Sequence, residues 1–456
     1  MPLLKIIFPL SLFLGLFNFC AATAQTGTVP ATLAKQILAD KRLDSVYLKA
    51  KDLISKGFNA GAGYGEIWIR DFNTFINASL DVGSPGAVKE KLLLFFKYQG
   101  DDGNIVDGLI PKAKASVGYK YSYSTLDTNW AAHKNTVETD QETSLIQAVK
   151  KYIDKTNDDA FLNEKVGQYT VLERMLKALQ FLNNERMVKD YGLIKGATTI
   201  DWGDVQPEKG WGVTINEKTK WAIDIYDNAM LLIAINDFTG LLDAKDLNRK
   251  KLEQDAINLK HNIRKYLLNE KTQKYIPHIY LNGSPFPKDF DEQRILYTGG
   301  TACAILASLH TKEEINAINK QFLKAASSEP KATIGITVYP PYPSAVFPNM
   351  AAYTYQNGGD WTWFGGRMIQ ALIQNGFYQE AYKEMIPMID RVLQYNGFYE
   401  WWDVKTGKPK GSAGFRGEAG VLYDAITMLK KSVLFELQRH KGTKAQGNTK
   451  TFLCVP

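Results

Sequence analysis

Carboxylates stand beside indole rings at four places in this 456-residue chain. They are Glu66-Ile67-Trp68-Ile69-Arg70-Asp71-Phe72, Thr199-Ile200-Asp201-Trp202-Gly203-Asp204, Tyr355-Gln356-Asn357-Gly358-Gly359-Asp360-Trp361 and Phe398-Tyr399-Glu400-Trp401-Trp402-Asp403. Two carboxyl groups can divide the work of cleaving an acetal: one protonates the leaving oxygen, and the other activates water or attacks the carbon. Aromatic faces hold a sugar ring in place, and an apolar wall raises the pKa of the acid so that it keeps its proton near neutrality.

Each cluster also has a plain structural reading. Arg70-Asp71 could be an ion pair closing a helix N-terminus, with Asp71 capping a helix from Phe72. Asp201 could be a turn residue, Trp401-Trp402 could be core, and Asp403 to Gly407 reads as a turn. Asp140-Gln141-Glu142 is most simply a helix-start signal. What favours chemistry is the place of all four clusters in the architecture that the rest of the chain implies.

Apolar positions recur at helical spacing over twelve segments, near 31–56, 72–81, 86–99, 141–155, 165–183, 224–239, 244–268, 300–309, 312–326, 361–375, 378–394 and 417–438, with few convincing strands. Tight turns at Gly83–Pro85, Thr156–Asp159, Gly240–Leu242, Thr311 and Asn375–Gly376 alternate with long links at 57–71, 100–140, 184–223, 269–299, 327–360 and 395–416. Short turns make antiparallel helical hairpins. Six hairpins joined by long links close into an all-α (α/α)6 barrel, a toroid with its long loops on one rim. Links of that length inside a compact domain point to a functional rim, and all four clusters fall on it.

Composition narrows the alternatives. The chain has 45% hydrophobic and 23% charged residues, an ordinary globular mixture, and its 9 Trp and 23 Tyr exceed what packing usually demands. Cys20, Cys303 and Cys454 form neither a zinc nor a redox spacing, and the five histidines form no metal-ligand pattern. No metal or cofactor is expected. The net charge of +7 is spread without a basic block, so nucleic acid is not an expected partner. Lys5, the apolar stretch Ile6–Phe17 and Ala22-Thr23-Ala24 read as a signal peptide over residues 1–24, cleaved before Gln25. A lipid anchor at Cys20 is disfavoured because Phe17-Asn18-Phe19 lacks small residues. The stretch is short for a retained membrane span. The expected organisation is therefore an exported chain, periplasmic or extracellular, with one catalytic-size barrel over 25–440 and a polar tail over 441–456.

The clusters resemble those of the six-hairpin glycosidases, inverting glycoside hydrolases on an (α/α)6 barrel, and are most similar to the alkaline/neutral invertase type. Trp68-Ile69-Arg70-Asp71-Phe72 resembles the segment that contacts the nonreducing sugar. Ile200-Asp201-Trp202-Gly203 resembles Val-Asp-Ser-Gly, whose Asp is the general acid. Tyr355 to Trp361 resembles Tyr-x-Asn-Gly-Gly-x-Trp, and Glu400-Trp401-Trp402-Asp403 with Thr406-Gly407 and Gly411 resembles the segment bearing the catalytic base. Trehalases and processing α-glucosidases share the Asp and Glu. The resemblance runs in motif order over residues 64–425 and departs at Trp202, where the family has a small residue, and at Asp204, a second carboxylate that competes for the acid role.

The resemblance implies an inverting, exo-acting α-glycosidase on an α-glucoside or related oligosaccharide, with Asp201 as acid and Glu400 as base. Trp68, Arg70, Asp71, Trp202, Asp204, Asn357, Asp360, Trp361, Tyr399 and Trp401 would bind substrate. The rivals are a noncatalytic carbohydrate-binding barrel and a sugar isomerase or lyase on the same scaffold. Isomerases and lyases usually rest on His or Tyr bases, and no His lies in the four clusters.

Overall fold

The computed structural model describes residues 29–115 and 120–449, with side chains up to residue 439. The signal segment expected over 1–24 and the end of the expected tail lie outside the described residues. Among those described, thirteen α-helices dominate: α1 (Ala31–Ala39), α2 (Lys41–Ile54), α3 (Ile69–Val82), α4 (Pro85–Lys97), α5 (Gln141–Thr156), α6 (Val171–Phe181), α7 (Ile225–Leu241), α8 (Leu247–Leu267), α9 (Gly299–Leu306), α10 (Lys312–Ala326), α11 (Thr362–Gln374), α12 (Tyr378–Gln394) and α13 (Arg416–Thr449).

From α3 onward the odd-numbered helices form a closed inner ring. Helix α3 packs on α5, α5 on α7, α7 on α9, α9 on α11, α11 on α13, and α13 back on α3. The even-numbered helices flank it: α2 lies against α3 and α13, α4 and α6 against α5, α8 against α7, and α12 against α11. This is the (α/α)6 barrel. Sequence separates the two layers. Helix α7 is buried on every side from Ile225 through Leu232, whereas α8 buries a single stripe, Leu252, Leu259, Ile263 and Leu267.

From α3 onward each inner helix passes to an outer one, by a short turn except after α5, where residues 157–170 intervene, and every long link returns from an outer helix to the N-terminus of the next inner helix. The long links therefore share one rim, at the positive ends of the inner-helix dipoles. Local chemistry sets the boundaries. Ser84 accepts the N–H of Ala87 ahead of Pro85 and starts α4 sharply, while Thr170 with Glu173, and Thr311 with Glu314, form capping boxes.

Three boundaries differ from the periodicity. The segment 31–56 is two helices broken at Asp40, whose carboxylate accepts the Arg42 N–H and pairs with its guanidinium at 2.8 Å. Helix α6 starts at Val171 because Lys165–Val166 and Tyr169–Thr170 pair as a small hairpin. Helix α13 continues past residue 438 to Thr449. The links also carry short antiparallel strands, of which two sets matter: a three-stranded sheet of Ile67–Trp68, Gly108–Pro111 and Trp130–His133, and a hairpin of Tyr399–Trp402 with Pro409–Ala413. Among the described residues no helix is long and apolar enough to cross a membrane.

Candidate active site

A cavity of about 220 Å³ opens on the long-link rim, with Trp68, Trp202, Trp361, Trp363 and Phe415 as apolar walls and Asp71, Asp107, Glu138, Asp204 and Glu400 as carboxylates. Each wall is locked by its neighbours. The Trp202 ring stacks on Phe364 at 4.2 Å between centroids and meets Trp361 edge-on at 4.8 Å, while Trp361 donates its indole N–H to the Tyr355 carbonyl at 3.0 Å. Trp68 lies over Gly108 on the neighbouring strand, where a Cβ would sit 2.2 Å from the indole, so only glycine admits the ring.

Glu400 reaches the cavity because it sits on a strand. Side chains alternate along Tyr399–Trp402, so Glu400 and Trp402 turn inward while Tyr399 and Trp401 stay half-buried on the other face. Three donors aim at the Glu400 carboxylate. Tyr64 Oη donates to Oε1 at 2.6 Å, Tyr355 Oη donates to the same oxygen at 3.0 Å, and the Ser412 N–H donates to Oε2 at 2.8 Å. Gly411 makes this possible. Its φ is +68°, and a Cβ there would lie 2.3 Å from Glu400 Oε2.

The turn after Ile200 separates two carboxylates. Asp201, at φ +54°, faces away from the cavity: its Oδ2 accepts the Gly299 N–H at 2.7 Å and its Oδ1 the Gly300 N–H at 2.9 Å, at the start of α9. Burial pushes its pKa up to about 7 against those two bonds. Asp201 is expected to present its carboxyl to substrate; it is not among the residues lining this cavity, and each of its oxygens accepts one N–H at the N-terminus of an inner helix. Asp204, three residues on, does line the cavity. Its Oδ1 accepts from Arg70 Nη1 at 3.0 Å and its Oδ2 from Gln356 Nε2 at 2.8 Å, and its own N–H donates to Gln356 Oε1 at 3.1 Å. Adjacent residues therefore hold two of the five cavity carboxylates, Tyr355 on Glu400 and Gln356 on Asp204.

Arg70 is spent on the protein. Its Nε and Nη2 bind the Asp140 carboxylate at 2.6 and 3.1 Å, and Nη2 also lies 3.1 Å from Glu138. Nη1 donates to Asp204 and, at 3.3 Å, to the Trp202 carbonyl. Arg70 lines the cavity, and its guanidinium gathers Asp140, Glu138 and Asp204 around it. Asp71 lies in the first turn of α3, which begins at Ile69, so it is not the cap of a helix from Phe72. Its Oδ1 has no hydrogen-bond partner among the described residues. Burial pushes its pKa up to about 8; Arg70 opposes the rise and Glu400 adds to it.

Of the other expected contacts, Trp68, Trp202 and Trp361 line the cavity. Asn357, Asp360, Tyr399 and Trp401 do not. Asn357 is buried in the link, bound to the Tyr342 N–H and to the carbonyls of Tyr342 and Met350. Asp360 accepts from Arg391 at 2.8 Å and from the Thr333 hydroxyl at 3.1 Å. Asp403 makes the expected turn, accepting the N–H groups of Lys405 and Thr406. Sequence reading passed over Tyr64, Asp107, Asn135, Glu138, Gln141, Trp363 and Phe415 as cavity residues. It held Tyr355 and Gln356 inside a quoted cluster without a role.

No family model matches the chain, and no curated protein matches it. Solved structures do. The mannosylglycerate hydrolase of Thermus thermophilus, a GH63 protein solved with Tris and D-glycerate, superposes with a TM-score of 0.58 at 14% identity, covering 84% of this chain and 99% of that one. The rhamnosidase of Klebsiella oxytoca, solved with rhamnose, gives 0.55 at 14% identity over 84% of this chain and 63% of that one. The GH78 rhamnosidase of Bacillus sp. GL1 gives 0.57 at 14% identity over 84% and 34%. The fold is that of the six-hairpin glycosidases. Within this six-hairpin barrel, the cavity sits where the N-termini of the inner helices converge, and the links that build it are those expected on that rim.

Proposed function

We propose that the protein is a glycoside hydrolase, an inverting, exo-acting α-glycosidase on an α-glucoside or related oligosaccharide. The observation that carries this reading is the placement of Asp204 and Glu400 in one aromatic-walled cavity on a barrel shared with known glycoside hydrolases. Asp204 is the proposed general acid in place of Asp201. Glu400, held by three donors, is the proposed base that deprotonates the attacking water. Export by residues 1–24 belongs to the same reading, and N-terminal sequencing of protein recovered from a secreting host tests it.

Asp71 is the one alternative acid with an observation behind it. It lines the cavity, its buried Oδ1 has no hydrogen-bond partner among the described residues, and its raised pKa keeps the proton at neutral pH. Turnover of Asp204→Asn and Asp71→Asn on an activated glycoside, whose leaving group needs no proton, separates the two. The acid variant regains rate on that substrate, and a residue that binds hydroxyls does not. Anomers released at early times, followed by NMR, test the stereochemistry: net retention overturns the inverting mechanism.

A further inference from the structure

The protein carries a net charge of +7, yet its cavity is lined by five carboxylates. Among the described lining residues the basic groups are Arg70 and His133. Both are bound to carboxylates of the protein. Arg70 directs its N–H groups to Asp140, Glu138, Asp204 and the Trp202 carbonyl. His133 holds Asp107 through Nδ1 at 3.1 Å. Lys134, next in sequence, is not among the lining residues; its ammonium binds the Ile105 carbonyl and lies 3.0 Å from Gln141 and 3.3 Å from Glu142. The lining thus sets five carboxyl groups against one guanidinium, and that guanidinium is already bound to Asp140, Glu138 and Asp204.

We infer that the cavity is selective by charge: it takes cationic or uncharged sugars, favours the cation, and rejects uronates and other glycosides bearing a carboxylate, phosphate or sulfate. The physical reason is that an anion entering this space meets carboxylates in a partly desolvated setting, where the one guanidinium is already paired with Asp140, Glu138 and Asp204. The inference rests on the reading of this cavity as the sugar site and adds the charge class of its ligand.

Three small polyols that share a quaternary carbon carrying hydroxymethyl groups isolate the charge: the ammonium form of Tris, pentaerythritol, and 2,2-bis(hydroxymethyl)propionate. Calorimetry on the full mature chain at about pH 6, where the Tris amine is protonated, should rank them cation, neutral, anion, with the anion about tenfold or more weaker than the neutral probe. Glu138→Gln and Asp107→Asn should each narrow the gap, as should added salt. A cation that binds no better than pentaerythritol, or an anion that binds as well, overturns the inference. Its failure is distinct from that of the hydrolase reading. A protein that ranks the probes as expected but cleaves no glycoside keeps the inference and loses the reading, and one that cleaves glucosides and matched glucuronides equally keeps the reading and loses the inference.

Discussion

Asp201 and Asp204 leave one turn three residues apart and meet opposite surroundings. Asp201 points into the barrel wall, where two backbone N–H groups take both of its oxygens and its residue is 3% exposed. Asp204 points into the cavity with its side chain 27% exposed, tied by Arg70 and Gln356. Both are acids beside Trp202, and both stand in the motif that chemistry would pick. A carboxylate with both oxygens bound at a helix N-terminus is a brace. One that keeps a face toward a cavity can exchange a proton with what enters.

The comparison is broken most directly by single substitutions. Glu400→Gln and Asp204→Asn should each lower kcat by about 10²- to 10⁴-fold, the range for loss of a positioned acid or base. Asp201→Asn should leave kcat of the folded protein near wild type and lower stability by about 1–3 kcal/mol, because one glycine N–H loses its acceptor. Steady-state rates and thermal melts on the same preparations decide it. An inactive, fully stable Asp201→Asn beside an active Asp204→Asn would reverse the assignment. Next in size is Gly411→Ala, which puts a methyl group against Glu400 Oε2 at a φ of +68°. It should cost about 1–2 kcal/mol of stability from the left-handed backbone and should lower kcat more than it changes KM. Tyr355→Phe removes one donor of three from Glu400, worth about 1 kcal/mol or roughly fivefold in kcat.

The barrel was legible because its signals are local. Apolar periodicity, a serine or threonine at a helix start, and the alternation of short and long connections all act within a few residues, and they located twelve helices and the rim. The break at Asp40 escaped because a cap in the middle of one apolar stripe does not interrupt its period. In the site, Glu400, Asp71, Asp204 and the tryptophans at 68, 202 and 361 were legible as carboxylates beside indoles. Direction was not. Whether Asp201 or Asp204 faces the cavity depends on one left-handed residue and on glycines about a hundred positions away. Tyr399 and Trp401 were misplaced because the link that carries them is a strand, where alternation sends neighbours to opposite faces. Glu138 and Asp140 carry no sequence signal beyond a helix start; their contact with Arg70 spans about seventy residues.

The smallest effect sharpens the contrast between a braced acid and an unbraced one. Asp71 and Asp201 are both buried and both have raised pKa values, about 8 and about 7, with burial as the leading cause. Asp201 recovers two backbone hydrogen bonds, while Asp71 Oδ1 recovers none among the described residues. For Asp71 the unfolded chain releases its proton near the ordinary value of 3.8 and the folded protein only near 8. Between those limits the folded state binds more protons, so this group's contribution to stability falls as pH rises through the window and is constant outside it. Asn does not titrate. The difference in melting temperature, Asp71→Asn minus wild type, should therefore grow from about pH 4 to about pH 8 and then level off. Asp201, Asp224, Asp237, Glu384 and Asp424, whose pKa values are also raised, act in both proteins and cancel in the difference. Removing Asp201 relieves the same kind of cost above about pH 7 but also takes an acceptor from a glycine N–H, so near pH 8 Asp71→Asn should gain more stability relative to wild type than Asp201→Asn. A melting temperature for Asp71→Asn below wild type at pH 8 would mean that the Asp71 carboxylate has a partner stabilising its charge, and would move it to the braced class.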